Sequence, residues 1–265
     1  MAITLSCKPT SPLWSPGNPI GAGLVWCGIF DAPGASQRNL VTPGVSNISV
    51  VAGTIGTGAA GRELQLNGTN EYARAALAPA MQVQAPFTVA SLCAAGSGIG
   101  NFRYTISCSQ PGQNANWVLG TGAAAQPRAL IRRSDGGYAF AVASGYTWDR
   151  NYHLLAMTYA GGAITLYVDG IVLATAATDG TLSSYNTSGP IIIGAVEDST
   201  STGTNYWPGS ITAAYIWSRA LSSRDMLRLT ADPFAPVRPR PRPWLAAGIP
   251  TSAAPYHHFR RRRVS

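Results

Sequence analysis

Charge is scarce in this chain of 265 residues: Asp, Glu, Lys and Arg together make up 11% of it. That is too little for a typical helical protein, whose solvent faces are charged. Lysine is almost missing, since 18 of the 19 basic residues are Arg and the other is Lys8. No apolar run approaches the roughly 20 residues that cross a bilayer, so no membrane helix is expected. The segment Met1–Lys8 has no charged stretch followed by an apolar one, so no secretion leader is expected and synthesis in a cytoplasm is. The four cysteines, Cys7, Cys27, Cys93 and Cys108, show neither C-x-x-C spacing nor companion histidines, which argues against a metal site. Cys93 and Cys108 lie in apolar runs and read as buried free thiols. Carboxylates are few as well, 11 in all, and none falls in the E-x-D spacing that would set two on one face of a strand. Glu197 and Asp198 are adjacent, so on a strand they would point to opposite faces. Two-carboxylate glycoside hydrolysis is therefore not expected.

What the chain does have is glycine (29), proline (19) and 46% apolar residues. That mixture suits many short strands joined by tight turns, a sandwich or barrel. The clearest stretch is 152–176, three apolar runs broken by Gly161-Gly162 and Asp169-Gly170. Both dipeptides supply the positive φ values that a two-residue hairpin turn needs, so an antiparallel meander is predicted. Further strands are predicted at 23–30, 48–51, 63–66, 86–93, 102–107, 116–119, 129–133, 138–143, 190–195 and 209–217. Ser134–Gly137 reads as a hairpin turn, and Asn67-Gly68 as a turn from which Tyr72 begins the return. One helix is predicted after Ser222, where Ser222 and Asp225 form a capping box; Met226, Leu227 and Leu229 give it an apolar side, and Asp232-Pro233 ends it.

The ends differ from the middle. Residues 1–20 hold four prolines and Trp14 and read as an extended arm. After residue 231 seven arginines stand against Asp232 alone, so six of the eight net positive charges belong to the tail and the body is nearly neutral. Proline at every second position from Pro239 to Pro243 favours polyproline II. The expected division is an N-terminal arm (1–20), a β-domain (21–232) and a Pro/Arg-rich C-terminal arm (233–265).

Four segments in order carry a family resemblance: Leu64–Tyr72, Phe87–Leu92, Tyr152–Gly170, and Ile191–Gly194 followed by Gly209–Met226. Together they resemble the laminin-G-like, concanavalin A-like jelly-roll superfamily. The resemblance implies an all-β fold, an antiparallel two-sheet jelly-roll sandwich with one short C-terminal helix and extended N- and C-terminal arms. The chain departs from the family pattern at Asn67 and Ala160, each standing where the family carries Asp. Both departures remove a carboxylate and weigh against a calcium site, for which Asp179, or Asp198 with residues 199–205, are the candidates. No other cofactor is expected. In the matching position a histidine is structural, which is how His153 reads. His257-His258 stand beside Phe259 with no third ligand. The Asp232–Phe234 ending, with the Arg/Pro tail after it, looks like versions of this domain in tailed-phage structural proteins.

Two functions follow as expectations, neither an enzyme. The first is a phage virion protein, a capsid decoration or head–tail accessory protein made in the host cytoplasm. It would dock on other virion proteins, capsid or tail subunits, as a homo-oligomer such as a trimer. Its contacts would come from Arg238, Arg240, Arg242, Trp244, Tyr256, Phe259, Arg260, Arg261, Arg262 and Arg263. For the terminal arginines, contact with protein is favoured over nucleic acid, because the apolar anchors among them imply a groove. The alternative is a glycan-binding adhesin, with Trp148, Tyr185, Tyr206 and Trp207 as candidate sugar platforms, although packing is the commoner fate of Trp207.

Overall fold

The computed structural model describes residues 18–79, 82, 84–109, 115–178, 189–197 and 202–238. The strands begin with β1 (Leu24–Ile29), β2 (Ser36–Gln37), β3 (Ile48–Ala52), β4 (Thr54–Gly58), β5 (Gly61–Asn67) and β6 (Tyr72–Ala75). Then come β7 (Phe87–Ala95), β8 (Tyr104–Cys108), β9 (Trp117–Thr121), β10 (Pro127–Arg132), β11 (Tyr138–Val142) and β12 (Tyr152–Ala160). The remainder are β13 (Ala163–Val168), β14 (Ile171–Ala177), β15 (Ile191–Ile193), β16 (Val196–Glu197), β17 (Gly203–Thr204) and β18 (Pro208–Trp217). Helix α1 (Ser223–Ala231) follows, and a 3₁₀ turn, Ala235–Val237, lies near the end of the described body.

Two antiparallel sheets form a sandwich. The back sheet runs β14-β13-β12-β7-β18-β5-β4, with β1 beside the second half of β18 and β5 beside the first. The front sheet runs β11-β10-β9-β8-β15-β6-β3-β2. The predicted meander is β12-β13-β14. Its turns have positive φ at both central residues, 57° and 74° at Gly161 and Gly162, 52° and 77° at Asp169 and Gly170.

Between the sheets lies the main core, with Trp26, Leu64, Phe87, Val89, Ile106, Trp117, Leu119, Met157 and Ile216 among its members. A second apolar layer covers the outer side of the back sheet. There α1 (Met226, Leu229) and Phe234 and Val237 pack on Leu92, Leu154, Ala156 and Tyr215. With both faces covered, β7 is buried at all nine positions, which explains why it reads as one apolar run rather than an alternating one. The capping box forms as expected: Ser222 Oγ accepts from Asp225 N–H, and Asp225 Oδ2 accepts from Ser222 N–H.

Four details depart from the sequence reading. Asn67-Gly68 does not turn the chain back along its neighbour, because β5 belongs to the back sheet and β6 to the front one. Side chains satisfy the backbone at this crossing: Asn67 Oδ1 accepts from Thr69 N–H at 2.7 Å, and Glu71 Oε2 from Asn67 N–H at 2.6 Å. Strand β4 lies in a stretch without apolar alternation. Its Gly56 and Gly58 leave space for side-chain ends, because a Cβ would come within 2.2 Å of the Gln65 amide and 2.1 Å of the Glu63 carboxylate as they now stand. Leu227 is 56% exposed rather than part of the apolar side of α1. The arm boundaries fall inside packed structure: Trp217 Nε1 donates to Ile20 O at 2.7 Å, and Tyr215 OH donates to Pro233 O at 2.8 Å. Phe234 and Val237 are fully buried, and Asn18 Nδ2 donates to Ala235 O at 2.7 Å, so the first and last described segments adjoin.

Candidate functional site

Alternation along β8–β11 sends every second side chain away from the core, and among the described residues nothing like α1 covers the front sheet there. Tyr104, Val118 and Leu130 pack with Ala115 and Val196, and Tyr138 leans on them. They floor a groove of about 410 Å³, around which stand Phe102, Arg128, Glu197, Thr204 and Asn205.

One wall is the β16–β17 hairpin. Ser107 Oγ donates to Ala195 O at 2.9 Å at its base, and buried Glu197 reaches across to Arg74 on β6, Nε–Oε1 3.2 Å. The other wall is built on Arg128. Its guanidinium carbon lies 4.8 Å from the ring centre of Phe140 and 5.6 Å from that of Phe102. The register Leu130↔Phe140 sets Arg128 diagonally across from Phe140, within reach of a long side chain. Cation–π contacts of this kind contribute roughly 0.5–1 kcal/mol where exposed. Gly122 leaves room for the stem, since a Cβ there would meet Arg128 Cδ at 3.0 Å. Phe102 takes a left-handed φ of 54°, and its N–H donates to Gly122 O at 3.1 Å.

The two rings stay 40% and 52% exposed. Arg128 Nε and the Tyr138 hydroxyl are buried without a hydrogen-bond partner among the described residues, a condition folded proteins keep to a minimum. Burial raises the Tyr104 pKa, the Arg128 charge opposes the rise and Tyr138 adds to it, so the three groups sense one another. Chemically the groove offers aromatic surface, donors on Arg128, Tyr138 and Asn205, and one carboxylate, while the Thr204 hydroxyl donates to Val196 O at 3.3 Å. Among the described residues Glu197 is the only acid lining it.

The sequence candidates lie elsewhere. Trp207 is fully buried and donates its N–H to Ala94 O, so it shows no face to a ligand. Trp148 donates to Ala125 O at 2.8 Å and packs edge-on against Trp207, Tyr146 and His153. Tyr206 is half-buried beside Tyr72, and its hydroxyl donates to Gly203 O. It borders the groove through a bridge between Tyr104 and Tyr206 without lining it. Of the arm residues, Arg238 pairs with Asp232 at 2.7 Å. Tyr185, Asp179, Asp198, Arg240, Arg242, Trp244, Tyr256, His257, His258, Phe259 and Arg260–Arg263 lie outside the described residues, as do Cys7 and Trp14.

His153 is a packed side chain held by two acids, with Nδ1 2.7 Å from Asp169 Oδ2 and Nε2 2.8 Å from Asp149 Oδ1. Burial alone would lower its pKa, but the hydrogen bonds to Asp169 and Asp149 outweigh that and raise it. Asp169 thus does more than form a turn: its Oδ1 also accepts from Leu154 N–H at 2.9 Å. Cys27, Cys93 and Cys108 are buried thiols, and burial pushes the Cys108 pKa up to about 12.

Residues 67–226, more than half of the chain, match the family described as the concanavalin A-like lectin/glucanases superfamily. Solved structures are similar at low identity. The binding domain of Paraclostridial Mosquitocidal Protein 1 is 14% identical with a TM-score of 0.60, over 80% of this chain and 52% of that one. The botulinum neurotoxin serotype D binding domain is 13% identical with a TM-score of 0.62, again over 80% and 52%. Domain 4 of AbnA, a GH43 extracellular arabinanase from Geobacillus stearothermophilus, solved in complex with arabinotriose, is 14% identical with a TM-score of 0.59, over 78% and 98%. The chain spans about half the length of the first two, and no curated protein matches it. Strand order, the two-sheet core and the matched segment agree: the chain belongs to the concanavalin A-like lectin/glucanases superfamily.

Proposed function

We propose that this chain is a glycan-binding module whose site is the groove on the outer face of the front sheet. One observation carries the reading: an apolar floor beside exposed Phe102, bordered across Arg128 by exposed Phe140 and rimmed by the donors of Arg128, Tyr138 and Asn205. Sugars combine apolar ring faces with many hydroxyls, and this is the pairing that meets them. The single carboxylate, tied to Arg74, favours binding over two-carboxylate hydrolysis. The likeness to an arabinanase domain solved with arabinotriose, and to toxin binding domains, supports the same reading. The test is calorimetric titration of the chain with oligosaccharides, repeated with Phe140→Ala and Phe102→Ala. We expect at least about a tenfold loss of affinity, worth about 1.4 kcal/mol, with little change in melting. Saccharide binding that ignores both substitutions would overturn the assignment.

A second reading, a virion accessory protein, is favoured by the seven arginines from Arg238 to Arg263 and by the Asn18–Ala235 contact, which starts both arms from one place. It requires that a chain cut after Arg238 no longer assemble onto particles; normal assembly of the shortened chain would rule it out.

A further inference from the structure

Within the groove the charges do not balance. The described acids near it are engaged, Glu197 with Arg74 at 3.2 Å and Asp135 with Arg133 at 2.8 Å. Arg128 has no such partner among the described residues. Phe140 and Phe102 lie against its guanidinium, while Nε is shut off from water without an acceptor. A guanidinium half withdrawn from water needs a counter-charge more than it needs another neutral dipole. Its N–H donors lie in one plane, and that fork matches the two oxygens of a carboxylate or sulfate better than a single hydroxyl. Further along the groove the Tyr138 hydroxyl is a second donor without an acceptor.

We propose that the groove selects acidic saccharides, with a carboxylate or sulfate substituent held by Arg128, rings set against Phe102 and Phe140, and a further ligand oxygen taking the Tyr138 hydroxyl. This rests on the glycan-binding reading and narrows it to a substrate class. It also explains why so exposed a pair of aromatic rings is built around an arginine. The rings fix the plane of the guanidinium, so that little side-chain freedom remains to be lost when the anion arrives. No bond is made or broken; the acidic group is told from a neutral one by charge-assisted hydrogen bonding.

The experiment uses the full chain and matched pairs of ligands. Galacturonate oligosaccharides are compared with the same oligomers after reduction of their carboxyl groups, and a sulfated galactan with its desulfated twin. We expect the acidic member of at least one pair to bind about tenfold or more tightly than its neutral twin. That preference should shrink as salt is added. Which pair shows it separates carboxylate from sulfate as the group held. Arg128→Gln should erase the preference, weakening the acidic member of the pair more than its neutral twin until the two bind alike, whereas Arg128→Lys should keep part of it. Should Arg128→Gln fail to fold, Tyr138→Phe still tests the site: it should weaken acidic and neutral members by the same factor. Equal binding of acidic and neutral twins would overturn acid selection while leaving a glycan site in place. A preference that persists in Arg128→Gln would overturn the role of Arg128. Absence of binding to every member would bring down the inference together with the reading beneath it.

Discussion

Two clusters in this molecule combine aromatic rings with charged groups, and they are opposites. Around His153 every polar contact is answered within the protein. Asp169 and Asp149 hold the imidazole, Trp148 donates to Ala125 O and Trp207 to Ala94 O. Around Arg128 the rings stay exposed, and two buried donors have no acceptor. Both set aromatic rings beside charged groups, so that pairing alone does not tell one kind of cluster from the other. Completion can: the first is finished by the fold, whereas on the glycan-binding reading the second takes an outside oxygen.

The sharpest way to break this contrast is Asp169→Asn. Asn tolerates the left-handed turn position, so the change isolates the charge. It should lower stability by about 3 kcal/mol, read from denaturant midpoints, because a buried pair loses one partner. An unaltered midpoint would show that the His153 cluster is not held as described. Next comes pH. The folded His153 pKa is raised above 6.5, since its two hydrogen bonds to acids outweigh burial. Its contribution is therefore fully present below pH 6.5 and lost as pH rises through the folded value. Unfolding at about pH 6 and about pH 9 should differ more in the parent than in Asp169→Asn.

Smaller still is Tyr215→Phe, which removes the donor to Pro233 O and should cost about 1 kcal/mol. Smallest is Tyr138→Phe, whose hydroxyl bonds nothing among the described residues; its melting should shift by less than about 0.5 kcal/mol in equivalent stability. A Tyr138→Phe loss as large as that of Tyr215→Phe would mean the groove, too, is completed from within.

Much of the fold can be read from the chain alone, for local reasons. Asp169-Gly170 and Gly161-Gly162 declare their hairpins, Ser222 and Asp225 their helix start. Strand β4 escapes because glycine fits it for a reason that lies elsewhere: the side chains of Gln65 and Glu63, on the next strand, need the space. The groove escapes for a related reason. Phe102, Tyr104, Arg128, Tyr138 and Asn205 come together only once the order β11-β10-β9-β8-β15 is known. Tryptophan drew attention to Trp148 and Trp207, yet the ring best suited to a platform is also the one worth most when buried. The signal that was there to find is Arg128 opposite a strand carrying Tyr138 and Phe140, at alternate positions that share one face.

The contact between Asn18 and Ala235 has a consequence for how the molecule is oriented. It belongs to the layer behind the back sheet, with Ile20, Phe234 and Val237, whereas the groove opens beyond the front sheet. The two sheets, packed about 10 Å apart, stand between them. The two therefore lie on opposite sides of the body. On the glycan-binding reading, whatever grips the body where its first and last described segments meet would leave the groove pointing outward, and neighbouring copies anchored the same way would present their grooves in parallel, where several weak contacts add up along one polymer.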